Sequence, residues 1–366
     1  LIATKIARKT KNSYLWLCQY RTMEQKTFDP DGVGVANGAY FGLPFEPDDA
    51  ELVLVSVPWD VTVSYGAGTV YAPDAIIEAS TQLDFHDPLA PGAWRRGIAT
   101  ADVDYSLQEL SQRLRTDAAR VIEHLENGGK LDDDYVVRKI RRVNEGCATM
   151  NANVEAQAAR WLDAGKRIGL VGGDHSTPYG LIRALGARHA AFGILHVDAH
   201  RDLREAYEGF EFSHASIMYN VLRDVPQVTR LVQVGVRDFS EQEAALAEIS
   251  ERIVSFEDFA LAEAAFCGET WDAQCRRIVE TLPEDVYVSF DIDGLSFENC
   301  PHTGTPVSGG LGFNQAVWLL RTLMRSGRRI IGFDLVEVCP APEDRLDAIT
   351  GARMLWKLCG ATLSRG

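Results

Sequence analysis

The sequence has no apolar run near the roughly 18 residues that a membrane-spanning helix needs, and no internal repeat or low-complexity tract. It carries neither GxGxxG nor GxxxxGK followed by Ser or Thr, the glycine-rich turns through which α/β proteins cradle phosphates. Basic residues are in deficit. The 37 Lys and Arg face 52 Asp and Glu, a net charge of −15 that argues against a nucleic-acid partner, because phosphate binding rewards clustered cations. There is no CxxC pair. Seven scattered cysteines, at 18, 147, 267, 275, 300, 339 and 359, read as reduced thiols of a cytoplasmic protein rather than a disulfide frame or zinc ribbon.

What is present is a chain of 366 residues, 46% hydrophobic, long enough to bury a large core. The first 22 residues carry Lys5, Arg8, Lys9, Lys11 and Arg21 and no acidic residue, and their apolar patch YLWLC is too short for a secretory core. They read as a leader or non-native segment, with Met23 as the start of the protein proper and 23–48 as an N-terminal extension. From 49 onward strand and helix patterns alternate. ELVLVSVPW, GIATADVDY, RIGLVGG, FGILHV, RLVQVGV, RIVSF, VYVSF and RIIGFDLVEV read as strands. Helical periods fall at 73–80, 178–187, 217–223, 241–250, 271–282 and 314–326, with a last helix ending near Leu358. Residues 107–165 are mostly helical, broken by the Gly-containing HLENGGKLDDD, and 107–150 read as a helical insertion. Strands separated by helices of this length imply right-handed crossovers and a parallel, three-layer α/β/α sheet in a single domain, 49–366.

Three of these strands end in chemistry. RIGLVGG runs into GGDHS with Asp174 and His175; FGILHV into Asp198, His200 and Asp202 of VDAHRD; VYVSF into Asp291 and Asp293 of SFDID. Alternation puts 198, 200 and 202 on one strand face, and 291 and 293 likewise. A lone Asp at a strand end is commonly a helix cap, and a lone His a satisfied polar group; the ladder spacing of the whole set points elsewhere. Four carboxylates with two imidazoles can converge at the carboxyl end of a parallel sheet. Buried without cations they would repel one another, whereas two divalent ions neutralise them. The absence of thiolate suits Mn²⁺ or a similar ion better than structural zinc. Two such ions, about 3.5–4 Å apart, share and acidify a bridging water, and the resulting hydroxide attacks an electrophilic carbon. His214 in EFSHAS is the best-placed spare imidazole for proton transfer, and Glu337, ending the last strand, can hold a cationic group such as guanidinium.

Taken together, the chain resembles the ureohydrolases, the arginase/agmatinase family of binuclear manganese amidinohydrolases. The resemblance runs from about Val53 to Leu358 and rests on VPWDVTVSYGAGTVYAPDAIIEAS, GGDHS, DAHRD, SFDID with HTGTPVSGGL, and DLVEVCP. It implies an arginase-like fold of about eight parallel strands, assembled as a homotrimer or homohexamer. It also implies two Mn²⁺ ions held by His175, Asp198, His200, Asp202, Asp291 and Asp293, with Asp198 and Asp291 bridging. His214 would be the proton shuttle and Glu337 the guanidinium anchor. The expected reaction is hydrolysis of a small cationic guanidino compound, with agmatine going to putrescine and urea the first expectation, because Glu211–His214 looks more like the agmatinase loop than the arginase one. The same chemistry on guanidinobutyrate, guanidinopropionate, guanidine, arginine or a formimino compound is the alternative, and a non-catalytic metal-binding relative comes after it, since no ligand or shuttle residue is missing. Arg201 inside DAHRD, Ala215 after His214, Ser296-Phe297 and His302 depart from the family pattern; alternation turns Arg201 away from the ions, toward an acidic neighbour.

Overall fold

The computed structural model describes residues 28–341 and 343–364, so the leader expected over 1–22 lies outside the described residues. Residues Gly34–Gly366 form one compact unit; of the other, Leu1–Val33, only 28–33 are described. Within the larger unit, 34–48 closes on the first strand and its neighbours: the Tyr40 hydroxyl pairs with Ser56 at 2.8 Å, and Phe41 meets Trp356 edge-on.

The unit is built on eight strands: β1 (Leu52–Val57), β2 (Ile98–Thr100), β3 (Arg167–Gly172), β4 (Phe192–Val197), β5 (Val228–Val234), β6 (Ile253–Phe256), β7 (Asp285–Asp291) and β8 (Arg329–Val336). Their order is β2-β1-β3-β8-β7-β4-β5-β6, every neighbouring pair parallel. Ten α-helices are described: α1 (Ala72–Ser80), α2 (Tyr105–Glu126), α3 (Asp134–Asp163), α4 (Tyr179–Gly186), α5 (Ile217–Asp224), α6 (Glu241–Ile249), α7 (Asp258–Phe266), α8 (Trp271–Glu280), α9 (Phe313–Arg325) and α10 (Leu346–Leu363). They pack in two series on the sheet: α2 on α3, α3 on α4 and α4 on α5; and α1 on α10, α10 on α9 and α9 on α8. A parallel sheet covered on both faces needs apolar side chains on both, so its strands read as continuous hydrophobic runs; β1 and β4 are buried throughout.

The differences from the sequence reading have physical causes. Helix α7 has no counterpart in that reading: DFALAEAAF has apolar residues all round and buries only Leu261, so no stripe marks it. The last helix runs to Leu363 rather than Leu358. Gly360, a residue that usually marks a helix end, lies inside it, with Ala90 close enough that a Cβ there would approach to 3.0 Å. The segment GIATADVDY supplies only three strand residues. The polar break expected between helices falls at 127–133, between α2 and α3.

Candidate metal centre

Four adjacent central strands, β3, β8, β7 and β4, point their carboxyl ends at one place. His175 follows β3, Glu337 follows β8, Asp291 and Asp293 close β7, and Asp198, His200 and Asp202 follow β4. The strand alternation expected of the last three is not what aligns them. β4 stops at Val197, and Asp202 has a left-handed backbone, φ 54°. Asp293 likewise sits in a 3₁₀ turn, where its N–H donates to Asp291 Oδ1 at 2.8 Å. Carboxylates capping their own turns replace the ladder geometry.

The glycines before His175 act by close approach. Gly173 has no positive φ, yet a Cβ on it would lie 1.9 Å from the carbonyl oxygen of Trp59. That carbonyl accepts from the Asp174 N–H at 2.8 Å, and Gly173 O accepts from the Glu337 N–H at 2.8 Å, so the loops after β1, β3 and β8 are stitched together.

His175 Nδ1 lies 2.9 Å from Asp198 Oδ2, 3.0 Å from Asp202 Oδ2 and 3.2 Å from Asp291 Oδ2, yet none of these contacts has hydrogen-bond geometry. Its Nε2 is committed elsewhere. Ser289 Oγ donates to Asp334, so it accepts the Nε2 proton of His175 at 2.9 Å, which leaves the Nδ1 lone pair facing the carboxylates. Asp334 is held in turn by the Tyr287 hydroxyl at 2.7 Å. His200 Nδ1 is 3.1 Å from Asp293 Oδ2, an oxygen without a hydrogen-bond partner, and 3.4 Å from Asp198 Oδ1. Ligand atoms of His175, His196, Asp198 and Asp202 lie within 4.8 Å of one another, as do those of Asp198, His200 and Asp293. Asp198 belongs to both groups.

Protons and divalent cations compete for such atoms. Burial pushes the carboxyl of Asp291 well up, with Asp293 and Asp198 adding to it. Burial and then the Asp198 charge push Asp202 up to about 6. Burial opposes protonation of His175 and His200, but the surrounding carboxylates outweigh it, holding His175 well above its usual range and His200 at about 12. Asp198 resists its own burial through three imidazoles, His196 foremost, and stays well below the carboxylate range. A divalent cation would relieve both the crowded imidazole and the crowded carboxylates. The oriented Nδ1 of His175, the free oxygen of Asp293 and the all-oxygen-and-nitrogen donor set fit that group.

His214, in the turn after the β4 loop, is buried with Thr62 3.4 Å from its Nδ1 and Tyr207 edge-on at 6.0 Å. Burial, then the charges of His200 and His175, hold it neutral, down to about 3. Glu337 Oε1 accepts from the His175 N–H at 2.8 Å, while its buried Oε2 has no partner. Gly304 leaves room for that oxygen, since a Cβ there would lie 2.5 Å away. Glu337 has φ 63°, and burial with the nearby Asp174 raises its carboxyl well above normal. An orphaned, buried carboxylate oxygen suits a cation.

Arg201 turns away from the cluster. It reaches Glu257 at 2.5 Å and stacks on the Phe239 ring at 4.0 Å. Sequence reasoning missed His196, Ser289 and Asp334. His196 and Ser289 sit two residues before Asp198 and Asp291, one period-two step along the same strand face; Asp334 is a carboxylate inside an otherwise apolar strand.

The arginase family's sequence profile matches residues 50–360. The chain belongs to the arginase family. It is 30% identical to an N(1)-aminopropylagmatine ureohydrolase of Thermus thermophilus over 318 residues, 87% of this chain and 91% of the relative. It is also 30% identical to an agmatinase of Cronobacter sakazakii over 301 residues, 82% of each. Among solved structures, the proclavaminate amidino hydrolase of Streptomyces clavuligerus superposes with a TM-score of 0.68 at 21% identity, covering 89% of this chain and 97% of that one. The agmatine ureohydrolase of Thermoplasma volcanium gives 0.64 at 20% identity, covering 92% and 95%. These likenesses share the fold. As an arginase-family ureohydrolase, the protein is an enzyme, a hydrolase.

Proposed function

We propose that this enzyme is a binuclear manganese-dependent ureohydrolase whose substrate is agmatine, cleaved to putrescine and urea. The observation that carries the reading is the convergence of His175, Asp198, Asp202, His200 and Asp293 in two groups of ligand atoms that share Asp198, with Asp291 Oδ2 3.2 Å from His175 Nδ1 and the Oε2 of Glu337, whose Oε1 accepts from the His175 N–H, unpartnered. His175, Asp198, Asp202 and Asp291 would hold one ion, and Asp198, His200, Asp291 and Asp293 the other. When bound, the ions supply an acidified water as the nucleophile for the guanidinium carbon. Glu337 orients that guanidinium by a charge-assisted hydrogen bond. Neutral His214, held through Thr62, takes and returns the proton that the departing amine needs. Relatives named agmatinase and aminopropylagmatine ureohydrolase, at about 30% identity, support the substrate.

A second reading keeps the chemistry and changes the substrate's far end. Arg115 donates to the carbonyl of Val61, the neighbour of Thr62, at 3.3 Å, and Arg204 stacks on Tyr207 at 4.6 Å. Both depress the proton affinity of His214, so both put positive charge near it. That field favours a guanidino acid such as guanidinobutyrate or guanidinopropionate over a dication. Urea release from agmatine, arginine and the two guanidino acids by Mn²⁺-loaded enzyme decides between them through relative kcat/KM. No urea from any of these guanidino substrates would sink both readings.

The assembly belongs to the same proposal. A homotrimer or homohexamer would cover the exposed Phe259 and Phe266 of α7, and light scattering in solution would give the mass. No helix among the described residues is long and apolar enough to cross a membrane, and we place the enzyme in the cytoplasm.

A further inference from the structure

We propose that His196 is a positioning residue for Asp198 rather than an ion ligand, locked in one tautomer by Gln233, whose own orientation Arg201 sets. The inference rests on the reading of the cluster as a metal centre and names a part of it that the ligand set leaves out.

The argument starts at Gln233, which is fully buried on β5. Its two amide atoms are distinguished by their partners. Oε1 accepts from Arg201 Nη1 at 3.2 Å and from Ser255 Oγ at 3.3 Å, while Nε2 donates to the carbonyl of Arg201 at 2.8 Å. Both ends agree, so the amide cannot be flipped without stranding donors against donors. The remaining contact of Nε2 is His196 Nδ1 at 3.2 Å. A donor there makes Nδ1 the acceptor, which puts the imidazole proton on Nε2, and Nε2 lies 2.7 Å from Asp198 Oδ2. Both ring nitrogens of this fully buried histidine are thereby used. Its proximity to the cluster is that of a donor to a ligand, not of a ligand to an ion.

Asp198 is the carboxylate common to both groups of ligand atoms. Its Oδ1 accepts the His200 N–H at 2.5 Å and its Oδ2 the His196 Nε2–H, so two donors on opposite oxygens fix the plane of the carboxylate. Without His196 only one donor remains and the side chain can pivot away from the two groups of ligand atoms it shares. The chain of contacts ends at the surface, where Arg201 reaches Glu257 and lies over Phe239. The arginine that departs from the family pattern is therefore the far end of this support.

The test is calorimetric titration of chelator-stripped, full-length protein with Mn²⁺ alone. Four forms are compared: wild type, His196→Leu, His196→Gln and Gln233→Leu. Both leucine variants are expected to bind Mn²⁺ about 10- to 100-fold more weakly. His196→Gln, whose amide N–H replaces the Nε2 donor, is expected to recover most of that loss. Leucine variants that retain the wild-type affinity would overturn the proposal, and Gln233→Leu carries the test alone if His196→Leu does not fold. Equal loss in His196→Leu and His196→Gln, with Gln233→Leu unaffected, would make His196 a direct ligand and also overturn it. Wild-type protein that binds no Mn²⁺ overturns the metal reading itself, and this inference with it.

Discussion

His175 Nε2 lies 2.9 Å from Ser289 Oγ, a hydroxyl whose own proton goes to Asp334, so one serine decides which nitrogen of the histidine faces the carboxylates. The donor chain Tyr287 to Asp334, Ser289 to Asp334 and His175 to Ser289 is buried throughout. Ser289→Ala removes the acceptor and frees the ring to rotate or change tautomer. Mn²⁺ affinity should fall by about 10- to 100-fold, as when partners behind a ligand are lost. Competition with a fluorescent chelator would measure it, and an unchanged dissociation constant would show that the tautomer is set by other contacts.

Glu337→Gln keeps the shape and removes the charge that would meet a guanidinium. A hydrogen bond to a charged group contributes about 1.5–3 kcal/mol, so kcat/KM should drop roughly 10- to 150-fold. Mn²⁺ binding should change much less, because the amide oxygen can still accept from the His175 N–H. Steady-state kinetics beside a metal titration separates the two effects. Equal losses in both would place Glu337 among the groups that hold the metal.

Gly173→Ala brings a methyl group to 1.9 Å from the Trp59 carbonyl and 3.0 Å from its N–H nitrogen, both backbone atoms that cannot swing aside. The loop holding His175 must move. Overpacking of this kind costs about 1–3 kcal/mol, read as a lower urea midpoint, and metal affinity should fall with it. A variant as stable as wild type would contradict the tight stitching of these loops.

Glu208, which is not among the expected ligands, provides a pH signature of its own. Burial, then repulsion from Glu126, raises its carboxyl from 4.5 to about 7 against the pull of Arg115 and Arg204, and its Oε2 has no partner. The folded protein therefore holds this proton more tightly than the unfolded chain. The stabilisation is full below about pH 4.5 and is lost as pH rises through about 7. Glu208→Gln cannot lose that proton. It should unfold at higher denaturant than wild type at pH 8.5, and the gap should close toward pH 5. A gap that stays constant across that range would rule the titration out.

Much of this protein was legible in the linear chain. Strands buried on both faces must be apolar throughout, so β1, β3, β4, β7 and β8 announced themselves; Asp, His and Glu at their ends stood out because ionisable groups there need partners. Residue type and local period carry that information; Arg201 does turn outward as expected, but β4 ends before it, so its ties to Gln233, Ser255 and Glu257 hold it there rather than strand alternation. What the tertiary structure alone decided are relations between distant residues. β3 lies beside β8 because Ile168 pairs with Gly332 in a sheet assembled by packing, and only that adjacency joins His175 to Glu337. The left-handed backbone at Asp202 and Glu337 follows from contacts across loops, not from residue preference. The tautomers of His175 and His196 depend on Ser289 and Gln233, residues of other strands, because a proton settles where the three-dimensional arrangement of donors and acceptors puts it.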